Sequence, residues 1–201
     1  MGLSNVFFTS DTHFGHANIM RFNPQTRYRG VAKTVDEMDE LMINAWNEVV
    51  PTNGVVYHLG DVSFHKRSNT ARASEILNRL NGTIHLIYGN HDSIIRETTA
   101  LSQRFASAQE YLELKFVDQK IVLCHFPFAV WNRGHHGSWN LYGHCHGSFQ
   151  AVGRQADVGW DTRDFQFGDG PRGPVSLEQV ARVLSNRDLV VQDHHRPENQ
   201  D

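Results

Sequence analysis

The sequence predicts an α/β fold, and three observations carry that expectation. Short apolar runs at 5–9, 55–59 and 83–88 alternate with segments of helical period. Each run leaves through a turn rich in Gly, Asn, Asp or His. From residue 110 onward the pattern changes to two adjacent strand-like runs joined by a tight polar turn. Strand-helix-strand-helix-strand order implies right-handed parallel crossovers, and the later segment adds antiparallel pairing.

The first strand, "NVFFT", runs into "SDTHFGH". The next segment, 34–50, places Met38, Leu41, Met42, Ala45, Trp46 and Val49 on one helical face. Thr34 stands three residues before Glu37, the spacing of a capping box. Pro51 to Gly54 ends this helix, and "VVYHLGD" follows as a strand. A second helix is expected over 70–80, with Ala73, Ile76, Leu77 and Leu80 inward and Asn81-Gly82 as its stop. "TIHLIY" then enters "GNHD". "EYLELKFV" and "KIVLCHF" flank Asp118-Gln119 as a hairpin. Residues 126–138 read as a loop, "WNLYGHCHG" as a strand with its exit turn, and "QADVG" as a further strand. Residues 161–174 read as a surface loop, and "SLEQVARVLSN" as a closing helix. The expectation is one domain over 1–191, with a polar, frayed tail over 192–201.

Composition narrows the function. Hydrophobic residues make up 39% and charged residues 20%, an ordinary globular balance. No apolar run approaches the roughly 20 residues that span a bilayer, so no membrane partner is expected. The N-terminus has no signal-peptide pattern, and two cysteines make no disulfide framework, so a reducing cytoplasm is the expected compartment. A net charge of -3 disfavours a general nucleic-acid surface. The unusual feature is thirteen histidines, several of them at the ends of apolar runs.

Five strand ends share one habit. They deliver Asp11 and His13; Asp61; Asn90, His91 and Asp92; His125; and His144 and His146. Ligands of open α/β sheets bind beyond the carboxyl ends of the strands, so these side chains meet on one rim. Extended backbone points residues two apart the same way, which aligns Asp11 with His13 and His144 with His146. Cys124 and Cys145 fall out of phase with those ligands, which disfavours a thiolate zinc site. Any single pair is compatible with ordinary hydrogen-bonded histidines; the coincidence of five points to metal chemistry. Asp11, His13, Asp61, Asn90, His125, His144 and His146 are too many donors for one open catalytic zinc. They suit two cations about 3.5–4 Å apart that share a carboxylate. Imidazole mixed with carboxylate favours Mn, Fe, Co, Ni or Zn.

The set "DTH", "GD", "GNHD", "H" and "GHCH", in that order, resembles the D-x-H … G-D … G-N-H-D/E … H … G-H-x-H signature of calcineurin-like metallophosphoesterases. "FFTSDTHFGHANIMRFN" and "VGWD…PVSLEQV" are similar to its small bacterial and phage-type branch, apart from an apparent insertion at "FGDGPRG" read as a solvent loop. The resemblance implies a four-layer α/β/β/α sandwich of two sheets flanked by helices, with a dinuclear metal centre at the sheet ends. It implies Asp11, His13, Asp61 and His146 on one metal, and Asp61, Asn90, His125 and His144 on the other, with Asp61 bridging. His91 takes the role of the catalytic histidine and Asp92 that of its orienting partner. The arginine pairs of eukaryotic Ser/Thr protein phosphatases have no counterpart here.

The expected activity is hydrolysis of a small phosphodiester or nucleotide by a metal-activated hydroxide, with a phosphomonoesterase as the alternative and a non-catalytic binding module behind both. His91 would protonate or stabilise the leaving oxygen. Asp92 reads equally as a helix N-cap before "SIIRET". Asn90, His91 and His16 are the candidate substrate contacts, though His16 reads equally as a surface histidine. His135 and His136 read as exposed loop residues, and Trp131, Trp139 and Phe126 as loop packing or a platform for a base. No Arg or Lys lies within the five motifs, which favours diesters unless Arg21, Arg27, Arg29 or Arg133 swings in.

Overall fold

A computed structural model describes residues 5–24, 26–162, 164–165 and 173–194. The chain starts with β1 (Val6–Thr9), buried along its length, then α1 (Ile19–Phe22), α2 (Arg27–Val31) and α3 (Val35–Val49). β2 (Val55–His58), α4 (Thr70–Arg79) and β3 (Thr83–Ile87) follow. Two short helices, α5 (Ser93–Glu97) and α6 (Thr99–Ser102), lead to β4 (Ser107–Gln109). The second half comprises β5 (Tyr111–Phe116), β6 (Gln119–Cys124), β7 (Trp139–Tyr142), β8 (Gln155–Asp157), β9 (Val175–Ser176) and α7 (Leu177–Leu184).

Two sheets result. The first has the order β4-β3-β2-β1-β9, parallel throughout except for β9. The second has the order β5-β6-β7-β8, with an antiparallel β5–β6 hairpin and parallel pairs after it. Alternation along the strands of the first sheet builds two cores. Phe7, Val56, Ile84 and Leu86 face Met38, Met42, Trp46, Ile76 and Leu77 of α3 and α4. Val6, Phe8 and Ile87 face Ile121, Leu123, Leu141 and Ala156 of the second sheet. α7 adds Leu177, Val180 and Leu184 to that inter-sheet core. The architecture is thus the expected mixed α/β sandwich of two sheets with helices.

Several local expectations change. The hairpin pairs Phe116 with Gln119, so its turn is Val117-Asp118, one residue earlier than expected. Val117 adopts φ 51°, a left-handed conformation at the first position of this two-residue turn. Thr34 caps α3 by accepting from Glu37 N, but the Glu37 carboxylate takes Lys33 N instead of closing the box. A full capping box stands at Ser176 and Gln179, opening α7. On α3, Leu41 and Val49 are only half-buried, while Ile43 and Asp39 are buried. Asp39 accepts the Gly15 N–H at 3.1 Å with both oxygens, so a carboxylate occupies a helix face expected to be apolar. The 161–174 segment is no plain surface loop where described: Asp161, Thr162 and Phe165 are buried. Most of "FGDGPRG" lies outside the described residues, as do residues 195–201 of the tail. At the start of the tail, Asp193 lies 3.7 Å from His135.

Candidate metal centre

The parallel arrangement brings the carboxyl ends of β1, β2 and β3 to one edge. β6 and β7 also run parallel, and Gly143 N donates to His125 O where they end. His144 N donates to Asp11 Oδ2 at 2.9 Å, tying the exit of β7 to that of β1 across the two sheets. Asp11 N donates to Gly60 O and His13 N to Asp61 O, so the first two exits run side by side. Side chains would obstruct this convergence. A Cβ on Gly60 would meet the Gly89 backbone, and one on Gly143 would meet Ser10 and Asp11.

The backbone at these exits is not extended. Asp11, His13, Asp61, His144 and His146 have φ of 56°, 48°, 56°, 67° and 48°. The two-residue spacing therefore works through left-handed turns and not through strand alternation. Asp, Asn and His enter that region more readily than other residues with a Cβ, so the ligand types suit the backbone they occupy.

Two groups of donors form. Asp11, His13 and His146 make one, and Asp61, His125 and His144 the other, each with ligand atoms within 4.8 Å of one another. Asp61 Oδ2 lies 3.5 Å from His125 Nε2 in its own group and 3.6 Å from His13 Nε2 in the other. Asn90 Oδ1 lies 3.1 Å from His125 Nε2. His125 Nδ1 is 2.6 Å from Leu59 O, an acceptor, so Nδ1 carries hydrogen and Nε2 is left to face the group. Once His125 is neutral, as ligation requires, its Nε2 and Asn90 Oδ1 are two acceptors facing each other, which a shared cation satisfies. In the first group Asp11 Oδ1 and His13 Nε2 are buried without a hydrogen-bond partner, a costly state for polar atoms unless a cation takes them. The donors fit divalent transition metals, and neither cysteine belongs to either group.

Partners behind the ligands orient them. Asp161 Oδ2 lies 2.6 Å from His146 Nδ1, which directs His146 Nε2 toward Asp11. Asp161 Oδ1 is ion-paired with Arg29 Nε at 2.9 Å, and Arg29 Nη2 donates to Asp11 O at 2.6 Å. Arg29 is buried and therefore does not swing toward substrate. Sequence reasoning missed both roles, although "QADVGWD" has the same strand-then-acid habit as the five exits.

Asp92 corrects an expectation. Its Oδ2 accepts from Asp61 N at 2.9 Å and Gly89 N at 2.8 Å, and its Oδ1 from Val62 N at 2.9 Å. No hydrogen bond to the His91 ring occurs among the described residues, and no side-chain cap bond to α5. Asp92 fastens the Asp61 exit to the "GNHD" turn because three buried amides outcompete one exposed imidazole. His91 is exposed, belongs to neither donor group, and donates its backbone N–H to Asp61 Oδ1 at 2.8 Å.

His16 is at the edge of the site, 5.5 Å ring to ring from His13, so it is not a plain surface histidine. Phe126 is 45% exposed and lies 4.6 Å from His144. Trp139 belongs to the inter-sheet core, and Trp131 donates to Ser138 O. His135 and His136 form a 3₁₀ turn with Gly134; His135 lies 3.7 Å from Asp193, and neither histidine belongs to either group.

Electrostatics follow from this crowding. Burial would raise the Asp11 carboxyl, but His13, His146 and His125 around it hold it well below the usual range. Burial would lower the His125 imidazole, but Asp61 and Asp11 carry it up to about 9. Burial lowers His13 against the pull of Asp11, so that imidazole favours the neutral, ligating form. Burial pushes Asp92 up to about 6 despite its three N–H donors.

Comparison with known proteins places this arrangement. A family model for calcineurin-like phosphoesterases matches residues 4–199. An uncharacterized protein of Methanocaldococcus jannaschii is 30% identical over 197 residues, covering 94% of this chain and 97% of that protein. The gene 66 protein of Mycobacterium phage D29 is 30% identical over 186 residues, covering 79% of this chain and 89% of its own. A crystal structure of a protein of unknown function from Aquifex aeolicus superposes with a TM-score of 0.64 at 21% identity, covering 88% of this chain and 97% of that one. The chain belongs to the calcineurin-like phosphoesterase family, whose members are metal-dependent.

Proposed function

We propose that this chain hydrolyses phosphodiesters with two divalent transition-metal ions. The observation that carries the reading is the position of Asp61 Oδ2, within 3.6 Å of an imidazole nitrogen from each donor group. A carboxylate oxygen between two groups is the requirement for a bridged pair of cations. When bound, two such ions supply Lewis acidity toward phosphoryl oxygens and acidify a water molecule.

The chain's own residues would do the rest. The His91 N–H holds Asp61 Oδ1, leaving Oδ2 aimed between the groups. Asp92 fixes the Asp61 backbone and keeps that aim through turnover. The exposed His91 ring would donate a proton to the leaving oxygen, a role open to it because it ligates neither group. Asn90, next to His125, would serve both the second group and the phosphate. Among the described residues no Lys or Arg side chain bonds to Asp61, Asn90, His91, His125 or His144. A monoanionic diester needs less cationic help than a dianionic monoester, and this supports the diester reading.

The test is kcat/KM on bis(p-nitrophenyl) phosphate and on p-nitrophenyl phosphate, with Mn²⁺ supplied at matched pH. The diester is expected to be the better substrate. Consistent preference for the monoester across several divalent metals replaces the diesterase with a phosphatase.

A further inference from the structure

Beside the first donor group, the rings of His16 and Phe64 adjoin His91 and form a wall that the hydrolytic chemistry leaves without a task. Phe64 stacks on His16 with centroids 3.8 Å apart and planes 11° apart. Its ring lies 4.9 Å from His91 and 6.1 Å from His13. Phe22 meets the far side of His16 edge-on at 6.3 Å and is itself exposed.

Phe64 is 40% exposed, while Phe14 across from it is 1% exposed. A single exposed apolar ring is ordinary, but Phe64 and Phe22 are both exposed on either side of His16, an apolar patch beside the reacting groups. The backbone holds Phe64 there. Phe14 N donates to Val62 O at 3.0 Å, Phe64 N donates to Phe14 O at 2.8 Å, and Phe14 pairs with Ser63 as a parallel bridge. This ladder fixes the Asp61 exit and holds the Phe64 ring at the rim, a preorganised surface that needs no rearrangement to receive a ligand.

We infer that this wall receives a leaving group carrying a planar aromatic ring, with its ester oxygen at His91 and its ring along Phe64. The inference rests on the hydrolytic reading above and adds to it a substrate class: aryl esters over simple alkyl esters. An anionic or neutral polar leaving group would gain little from Phe64, whereas a flat ring gains stacking and sheds water from the stacked face.

The test uses the full chain loaded with Mn²⁺ and two non-hydrolysable ligands, phenylphosphonate and methylphosphonate, so it does not depend on turnover. Wild type is expected to bind the phenyl compound about tenfold more tightly, the margin a single ring stack supports. Phe64→Ala should lose that margin, and Phe64→Leu should keep part of it, with metal content by elemental analysis equal to wild type. Equal affinities in wild type, or an undiminished margin in Phe64→Ala, overturn the inference. Should Phe64→Ala lose metal, Phe64→Leu decides on the same criterion. The parent reading fails separately: no wild-type turnover of bis(p-nitrophenyl) phosphate, with the phenyl margin intact, removes the diesterase and keeps the wall.

Discussion

Replacing Asp92 separates two accounts of this site. In the structure Asp92 accepts three backbone N–H groups, from Asp61, Val62 and Gly89, and leaves the His91 ring to solvent. Asp92→Ala orphans three buried donors. At about 1 kcal/mol each, the low end for an unsatisfied buried group, the loss is about 3 kcal/mol. For a chain of this size that corresponds to a fall in Tm of about 6–12 °C. Asp92→Asn is milder. Its carbonyl can take the place of Oδ2, serving Asp61 and Gly89, while its amide faces Val62 N–H and loses one bond, about 1 kcal/mol on the same low-end figure. Because the Asp61 exit loosens in both, metal affinity should fall in the same order: wild type, Asn, Ala.

The assays are urea denaturation of the EDTA-treated chain and metal titration of the same preparations. If Asp92 oriented His91 instead, Asp92→Asn would keep stability and metal and lose only rate on esters with poor leaving groups. Asp92→Ala within about 0.5 kcal/mol of wild type, the range of a neutral surface change, would refute the reasoning.

Four further outcomes follow. Asp61→Asn should leave both donor groups short of metal by elemental analysis, whereas His13→Ala should spare the second; full occupancy in Asp61→Asn rejects the bridge. His91→Ala should retain metal and lose on the order of 10²–10⁴ in kcat for a poor leaving group and less for nitrophenolate; equal losses argue against proton donation. His125, carried up to about 9, is protonated at neutral pH in the metal-free chain and must shed that proton to ligate. Apparent metal affinity should therefore rise about tenfold per pH unit between pH 6 and 8, and calorimetry showing no proton release at pH 7 excludes this. Burial raises Asp39 to about 7, so the folded chain holds this proton more tightly than the unfolded one between pH 4 and 7; the Asp39 contribution to stability of the metal-free chain is full below pH 4 and falls by on the order of 4 kcal/mol as pH rises through 7, and Asp39→Asn should remove that component in urea titrations.

The candidate site was legible in the sequence because five separate strand exits each deliver Asp, Asn or His, a coincidence that ordinary turns do not require. Asp11, His13, Asp61, Asn90, His125, His144 and His146 can all be named without coordinates, and the structure gathers them into two adjoining sets. The partners behind them were not legible. Arg29 comes from a five-residue helix and Asp161 from a loop, and neither carries a periodic signal; they meet only because α2 packs under the β1 exit. Phe64 was also missed, since an apolar residue three positions after Asp61 reads as packing. β4, α1, α2 and α6 escaped for another reason: elements of three to five residues fall below the length at which period can be counted. The alternation argument for Asp11 and His13 named the right residues through the wrong geometry, because an i, i+2 spacing is shared by strands and by tight left-handed turns.

Those left-handed turns pose an energetic question that the network around them answers. Each non-glycine residue held at positive φ costs about 1–2 kcal/mol, so the five ligands together store on the order of 5–10 kcal/mol, as much as the net stability of an ordinary domain. Such strain persists only where the surroundings over-determine it. Here they do: Asp11 N and His13 N are bound to the β2 exit, His144 N to the Asp11 carboxylate, and His16 N to His13 O. Asp61 N is bound to Asp92, and Asp11 O to Arg29. The turns are thus held by the protein's own hydrogen bonds, which fix where the donor side chains point. Asp92 and the buried Arg29 therefore act on the chemistry through the residues they hold in place.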